Sequence, residues 1–425
     1  MRGREVLEKW GLPDLAGNGR FVSANIMDSL GNGLVLAFTV IYFTTTTSLS
    51  LGSIGAALSL GQLLALPTPV LAGSLIDRLG ARKVVIAANL ISAAGFTAFL
   101  AADTVGKIVV VQFVVQAGSS IYWTAGRGLV LLAAHSHDQA RWFGFIGALR
   151  NIGGGFGAAV ASLALAVGSD WIRLLIVVNA ASFVIAACLI AGWRPVTEDR
   201  SPRHIRTRKG EGYAVVLRDT RYLRLVLANL AFVLAASVLP VLLAVYLTES
   251  LHVATWLVGA CTVGNMALVA LVQTLVARMT ERRRPTRVLA LAGVVNAVAF
   301  TVFGLLLAVP GWVVVAGLVP AMAAFTVAEM LSVPSSGELS ASLAPEHIRG
   351  RYLGAFQLSW TLGNAMAPAL LTMLLGHGPA WPWAVLGALN LLVVPLVLSL
   401  GDAPAQDGPR TEKAAAPTAE PVERP

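Results

Sequence analysis

Apolar residues run along this chain in stretches of about twenty, each bounded by charge, glycine or proline. A helix needs about that length to cross a hydrocarbon core of about 30 Å. Twelve such stretches are predicted, at 21–43, 51–74, 84–102, 108–130, 143–167, 172–192, 223–247, 255–277, 288–309, 312–333, 352–375 and 381–400. The first twenty residues carry Arg2, Arg4, Glu5, Glu8, Lys9 and Asp14 and lack the apolar core of a cleavable secretion signal. Residues 402–425 are rich in Ala, Pro and Glu and read as a disordered tail. The longest polar interruption runs from Arg194 to about Arg221. It divides the chain into a unit at 21–192 and a unit at 223–401, joined by a basic linker at 193–222.

Composition points the same way. Of 425 residues, 56% are hydrophobic and only 12% charged, where a soluble domain is usually about a quarter charged. A water-soluble enzyme is excluded, and an integral membrane protein is expected. Cys188 and Cys261 both sit inside apolar runs, which argues against a disulfide framework, a redox pair or a cysteine zinc site. The net charge of +9 follows topology. With the amino terminus inside, every Lys and Arg except Lys107, Arg150 and Arg173 falls at a cytosolic end or loop, as the positive-inside rule requires. Both termini are then cytoplasmic. The cations act as a topology signal and a handle for anionic lipid headgroups, and no nucleic acid is expected as a partner.

The two units show traces of duplication. A shift of 204 places Asp77-Arg78 over Glu281-Arg282 and Gly55 over Gly259. A shift of 210 places Arg141, Gly144 and Gly153 over Arg351, Gly354 and Gly363. Parallel repeats of this kind belong to one large transporter architecture.

Ionisable residues inside the apolar spans are costly, by a contested 3 kcal/mol or so each, and should face protein or water. Asp28, Arg127, Arg150 and Glu329 stand out, with the polar Asn32 one turn beyond Asp28. At about 1.5 Å per residue, Asp28 and Arg150 lie roughly 12 Å from the cytosolic starts of their spans. Burial disfavours a carboxylate's charged form and a nearby guanidinium favours it, so Asp28 and Glu329 are the candidate proton carriers and Arg127 and Arg150 their modulators. Arg127 and Arg150 equally suit snorkelling or structural pairing. Gly153 and Gly157, one turn apart on the fifth span, suit close helix packing, with Gly259 and Gly264 of the eighth span as candidate counterparts. Trp312, Trp381 and Trp383 near outer ends suit interface anchors. No GxxxxGK[ST] phosphate loop is present, and His135 and His137 have no ligand cluster beside them, so neither ATP hydrolysis, a metal site nor a cofactor is implied.

The loop after the second span reads Gly73-Ser74-Leu75-Ile76-Asp77-Arg78-Leu79-Gly80-Ala81-Arg82-Lys83. Gly73 permits close approach of a neighbouring helix, Gly80 a tight turn, and Asp77 can accept from backbone N–H groups at a facing helix start. Arg78, Arg82 and Lys83 can pair with acids on a moving partner. In these residues the chain resembles the major facilitator superfamily, whose GxLxDRxGRK loop latches the cytoplasmic side shut. The resemblance implies an all-α membrane fold, with twelve transmembrane helices in two parallel-repeat six-helix bundles around a cavity lined by helices 1, 4, 7 and 10. It also implies a small-molecule substrate, protons as the coupling partner, a monomer, and a place in the inner (plasma) membrane. The chain looks most like twelve-helix bacterial proton-coupled drug exporters. Two departures are visible. Gln116-Ala117-Gly118 lacks the preceding Arg of many proton-coupled members, and the glycine-rich stretch at 147–157 lacks the Gly-Pro pair of family antiporters. Proton-coupled nutrient uptake and ligand sensing without flux remain alternatives on the same fold.

Overall fold

The computed structural model describes residues 12–13, 15–36, 39–134, 139–167, 171–195, 212–254 and 256–401. His135, His137, most of the basic linker, the first eleven residues and the tail from 402 lie outside the described residues. The described part is helical throughout, with no strand. Helix α1 is Gly19–Leu36, with Thr39–Thr46 beyond it. There follow α2 (Gly52–Leu79), α3 (Ala81–Phe99), α4 (Val105–Ala133), α5 (Gln139–Val167) and α6 (Trp171–Gly192). The second unit holds α7 (Thr220–Ser250), α8 (Trp256–Thr280), α9 (Pro285–Ala308), α10 (Gly311–Ser342), α11 (Glu346–His377) and α12 (Trp381–Leu398).

Among the described residues, ten of these are long and apolar enough to cross a membrane. The two predicted spans outside that number are α1, interrupted in the description at residues 37 and 38, and α5. At 29 residues α5 is long enough to cross. Short polar side chains start several helices. Ser50 accepts from Ser53 N, Thr104 from Lys107 N and Asp219 from Tyr222 N, each satisfying a backbone donor that the first turn leaves free. Gly80, at φ +81°, makes the turn between α2 and α3, a backbone conformation that side chains disfavour. Within α7, π-helical turns at Val238–Leu242 and Tyr246–Ser250 bracket the segment after Pro240, whose missing N–H opens the regular ladder.

Each unit packs chiefly on itself. In the first, α1 lies between α5 and α6, and α3 between α4 and α6; in the second, α9 lies between α10 and α12. Gly153 and Gly157 serve this packing. A Cβ on Gly153 would stand 2.8 Å from Ser29 Cβ, and one on Gly157 would run into the Leu30 carbonyl. Both therefore face α1 of their own unit, while Gly259 and Gly264 on α8 have open space around them. This corrects the expected counterpart across the units: the small residues that α5 needed were already on α1, at Ser29 and Gly33. Replacing Gly157 with Leu is expected to lower the melting temperature of the detergent-solubilised protein by several degrees, since overpacking against backbone costs about 1–3 kcal/mol. Gly264→Leu serves as the control and should leave it unchanged.

Trp312 and Trp381 are exposed, as expected of anchors, but Trp383 is buried, stacked 4.6 Å from Phe303 and edge-on to Tyr246. Its indole belongs to the core of the second unit.

Candidate functional site

The two units meet at the end that carries most of the described cations, called here the basic end. There α2 crosses α11, α5 crosses α8 and α10, and α4 touches α11; no comparable crossing joins α1 to α7 among the described residues. The first crossing is built on glycine. A Cβ on Gly73 would stand 2.5 Å from the Gly350 carbonyl, and one on Gly354 would stand 2.6 Å from the Pro69 carbonyl. Close backbone approach brings Asp77 onto the start of α11, where its Oδ1 accepts from Gly350 N at 2.5 Å and its Oδ2 lies 3.3 Å from Arg351 Nη1. Both side chains of the ion pair are buried, and the carboxylate meets the positive end of the helix dipole as well. The Tyr213 hydroxyl, from the short helix Tyr213–Arg218 that precedes α7, donates to the Val70 carbonyl beside the same crossing. Burial pushes Tyr213 up to about 12, so the hydroxyl keeps its proton and remains a donor.

A second ion pair repeats the first with the units exchanged. Arg141 on α5 holds Glu281 after α8, through Nε at 2.8 Å and Nη2 at 2.5 Å. Glu281 is the repeat equivalent of Asp77, and Arg141 that of Arg351. Each unit thus lends one acid and one base to the other. Arg82, in the same loop as Asp77, also makes contacts within its own unit. Arg82 donates through Nε to the Ile190 carbonyl at 3.2 Å and through Nη2 to that of Ala191 at 2.6 Å, while Arg20 reaches the Gly192 carbonyl. Both satisfy the carbonyl end of α6 in their own unit, where the helix dipole favours cations. Arg78 and Lys83 are exposed.

Above the basic end a cavity of about 430 Å³ opens between the units, of the size that small-molecule sites usually have. Arg127 on α4 and Arg150 on α5 line it, together with Gln62, Gln116, Trp123, Phe356, Gln357, Trp360 and Asn364. Arg127 donates through Nη1 to Gln357 Oε1 at 2.5 Å, a bond between the units, and its Cζ lies 4.9 Å from the Phe356 ring. Arg150 stacks on Trp123 at 4.2 Å and donates through Nη2 to Asn25 Oδ1 at 3.2 Å and to the Tyr122 hydroxyl at 3.0 Å. Aromatic faces hold both guanidiniums in place through cation–π attraction. Neither Arg snorkels to a helix end.

Asp28 sits behind this wall on α1, 3% exposed, and interacts electrostatically with Arg150 and Tyr122. Its Oδ1 has no hydrogen-bond partner among the described residues. Asn32 is exposed and donates to the Asp28 backbone carbonyl at 2.9 Å. Glu329 stands apart from the other three. It lies in the second unit, accepts from Asn265 at 2.9 Å, and lines a smaller cavity of about 20 Å³ with Asn229 and Asn296, adjoining the central one through Val333, Ser336 and Trp360. Sequence reasoning missed the contributions of Trp123, Gln357, Gln62 and Tyr213. A polar or aromatic residue in an apolar run was the available signal for the first three, but many such residues only pack.

Comparison with known proteins agrees with this architecture. The profile of the Major Facilitator Superfamily matches residues 21–368 and 225–423. The Multidrug resistance protein MdtH of Cronobacter sakazakii is 25% identical over 379 residues, covering 86% of this chain and 90% of its own length. Among solved structures, the proton:xylose symporter XylE superposes with a TM-score of 0.72 at 15% identity, covering 89% of this chain and 94% of that one. A bacterial homologue of the iron transporter ferroportin, in an outward-facing state, also gives 0.72 at 16% identity, covering 90% and 98%. With a matching profile over most of its length and two helical units meeting around a central cavity, the chain belongs to the major facilitator superfamily and is a multi-pass membrane transporter rather than an enzyme.

Proposed function

We propose that the chain exports a small amphipathic molecule by alternating access, in exchange for inward-moving protons. The observation that carries this reading is the pairing of a central cavity, shut off at the basic end, with a buried carboxylate, Asp28, beside an arginine of the cavity wall. When the units rock and Arg150 withdraws, the charged form of Asp28 loses its support and a proton is taken up; when Arg150 returns, the proton leaves. Glu329, in its polar niche, is the second candidate carrier. The Asp77–Arg351 and Arg141–Glu281 pairs act as the latch that opens and closes with each cycle. Export as the direction is supported by relatives of the multidrug-resistance type, whose similarity spans most of the chain. The sequence asymmetry of Lys and Arg supports both termini in the cytoplasm of a cell with the chain in its inner membrane. The basic loops would then rest on anionic headgroups, and a monomer suffices for transport.

Proteoliposomes loaded with a compound panel provide the test. At least one amphipathic compound is expected to move faster when a proton gradient is imposed, and faster still with an added electrical potential, which is worth about 2.3 kcal/mol per charge per 100 mV. Flux that ignores the gradient for every compound transported would remove the coupling.

A further inference from the structure

The two arginines of the central cavity have more hydrogen-bonding capacity than their surroundings use. Arg127 donates through Nη1 to Gln357 Oε1 and to the Trp123 carbonyl, and Arg150 through Nη2 to Asn25 Oδ1 and to the Tyr122 hydroxyl. All four acceptors are neutral. Among the described residues, Nε and Nη2 of Arg127 and Nε and Nη1 of Arg150 meet no acceptor, and neither side chain forms an ion pair. Arg150 Nε is also buried. Asp28 offsets Arg150 from behind the wall, but the N–H groups that face the cavity without an acceptor still favour a negatively charged one.

The two cations line the same cavity from neighbouring helices, and Arg150 Nη2 lies 3.7 Å from the point where a Cβ on Gly126 of α4 would stand. They repel each other electrostatically. The acids that might offset them do not reach the surface that a solute meets. Asp28 is buried behind the wall on α1, and Glu329 lines the smaller cavity, which shares Val333, Ser336 and Trp360 with the central one but not Glu329 itself. Among the described lining residues of the central cavity there is no carboxylate at all.

We infer that the central cavity selects amphipathic organic anions, with a carboxylate-like head on Arg127 and Arg150 and an apolar body against Trp123, Phe356 and Trp360. The planar guanidinium fork matches the paired oxygens of a carboxylate, sulfonate or phosphate, and the groups left for such a head are Arg150 Nη1 and Arg127 Nε and Nη2, since Arg150 Nε is buried away from the cavity. The anion would also relieve the repulsion between the two arginines. The aromatic faces that now hold the guanidiniums leave room for an apolar body in the same cavity. This inference rests on the cavity being the transport site and is independent of the coupling ion.

Three congeners of one shape test it at equilibrium, with the full-length protein in nanodiscs: 2-naphthoate, its neutral amide 2-naphthamide, and 2-naphthylmethylammonium. Binding is read by tryptophan fluorescence, since Trp123 and Trp360 line the cavity. Naphthoate is expected to bind at least about tenfold more tightly than the amide, with the ammonium weakest. Arg127→Gln and Arg150→Gln should each weaken naphthoate by roughly tenfold while the amide changes by about twofold or less. Arg127→Lys, which retains the charge, should keep the preference for the anion even where the Gln variants fold poorly. Equal or tighter binding of the amide or ammonium to the unmutated protein overturns the inference, as does absence of binding by all three. Flux of other compounds in the proteoliposome panel would in those cases leave the transport reading standing. Silence in both assays would remove the two together.

Discussion

Asp28→Asn is expected to abolish proton-driven accumulation in proteoliposomes while solute-for-solute exchange continues. The substitution is nearly isosteric, so packing on α1 should survive, but the side chain can no longer take up and release a proton. Asp28 is 3% exposed, and one of its oxygens has no hydrogen-bond partner among the described residues. A buried acid so incompletely satisfied is costly to keep, which favours a working role over a structural one. Gradient-driven uptake should fall by roughly tenfold or more, whereas exchange, which needs no net proton movement, should stay within about threefold. The same two assays on Glu329→Gln separate the candidate carriers: a loss there, with Asp28→Asn unaffected, would transfer the role to the second unit. Equal loss of both modes in Asp28→Asn would mark the residue as structural.

The second large effect is expected at the basic end. Asp77→Asn leaves Arg351 without its buried counter-charge, and it does so only while the units are closed on each other. Breaking such a pair from one side costs on the order of 3 kcal/mol, so the closed arrangement should lose roughly a hundredfold in population relative to the open one. Turnover should slow markedly, because each cycle must pass through the closed state. Solute affinity, set by the cavity and not by the crossing, should stay within about threefold. Adding Arg351→Gln should recover part of the loss, since the orphaned cation is then gone. Stopped-flow transport beside equilibrium binding gives both numbers, and a turnover equal to that of the unmodified protein would count against the latch.

Much of this architecture was legible before any coordinates. Apolar runs of bilayer length and the one-sided distribution of Lys and Arg are direct imprints of lipid on sequence, and they located the helices. Intramembrane charge was a good guide to the cavity for a thermodynamic reason. A guanidinium survives in an apolar span only where protein or water meets it, and Arg127 and Arg150 both line the wall. The guide was blunter for Glu329, because the same cost is met equally well by a hydrogen bond from Asn265 inside one unit. What the sequence withheld was pairing. Asp77 reaches Arg351 across 274 positions of chain, Arg82 reaches carbonyls at the end of α6, and Gly157 turns to α1 in place of α8. Each of these depends on which way a helix is rotated about its axis, and a glycine or cation on a helix packed on several sides carries no mark of the neighbour it will meet. Tyr213 is hidden for a different reason: nothing in a polar linker signals that one hydroxyl will cross to a carbonyl of α2.

The crossed ion pairs bear on ancestry. Within the first unit, Asp77 and Arg141 are one acid and one base, and Glu281 and Arg351 are their counterparts in the second. A single six-helix precursor holding such a pair would already be self-complementary about a twofold axis, the acid of each copy meeting the base of the other. Fusion of two such copies would then have created no new contact, only made permanent a partnership that a homodimer could have formed by chance encounter.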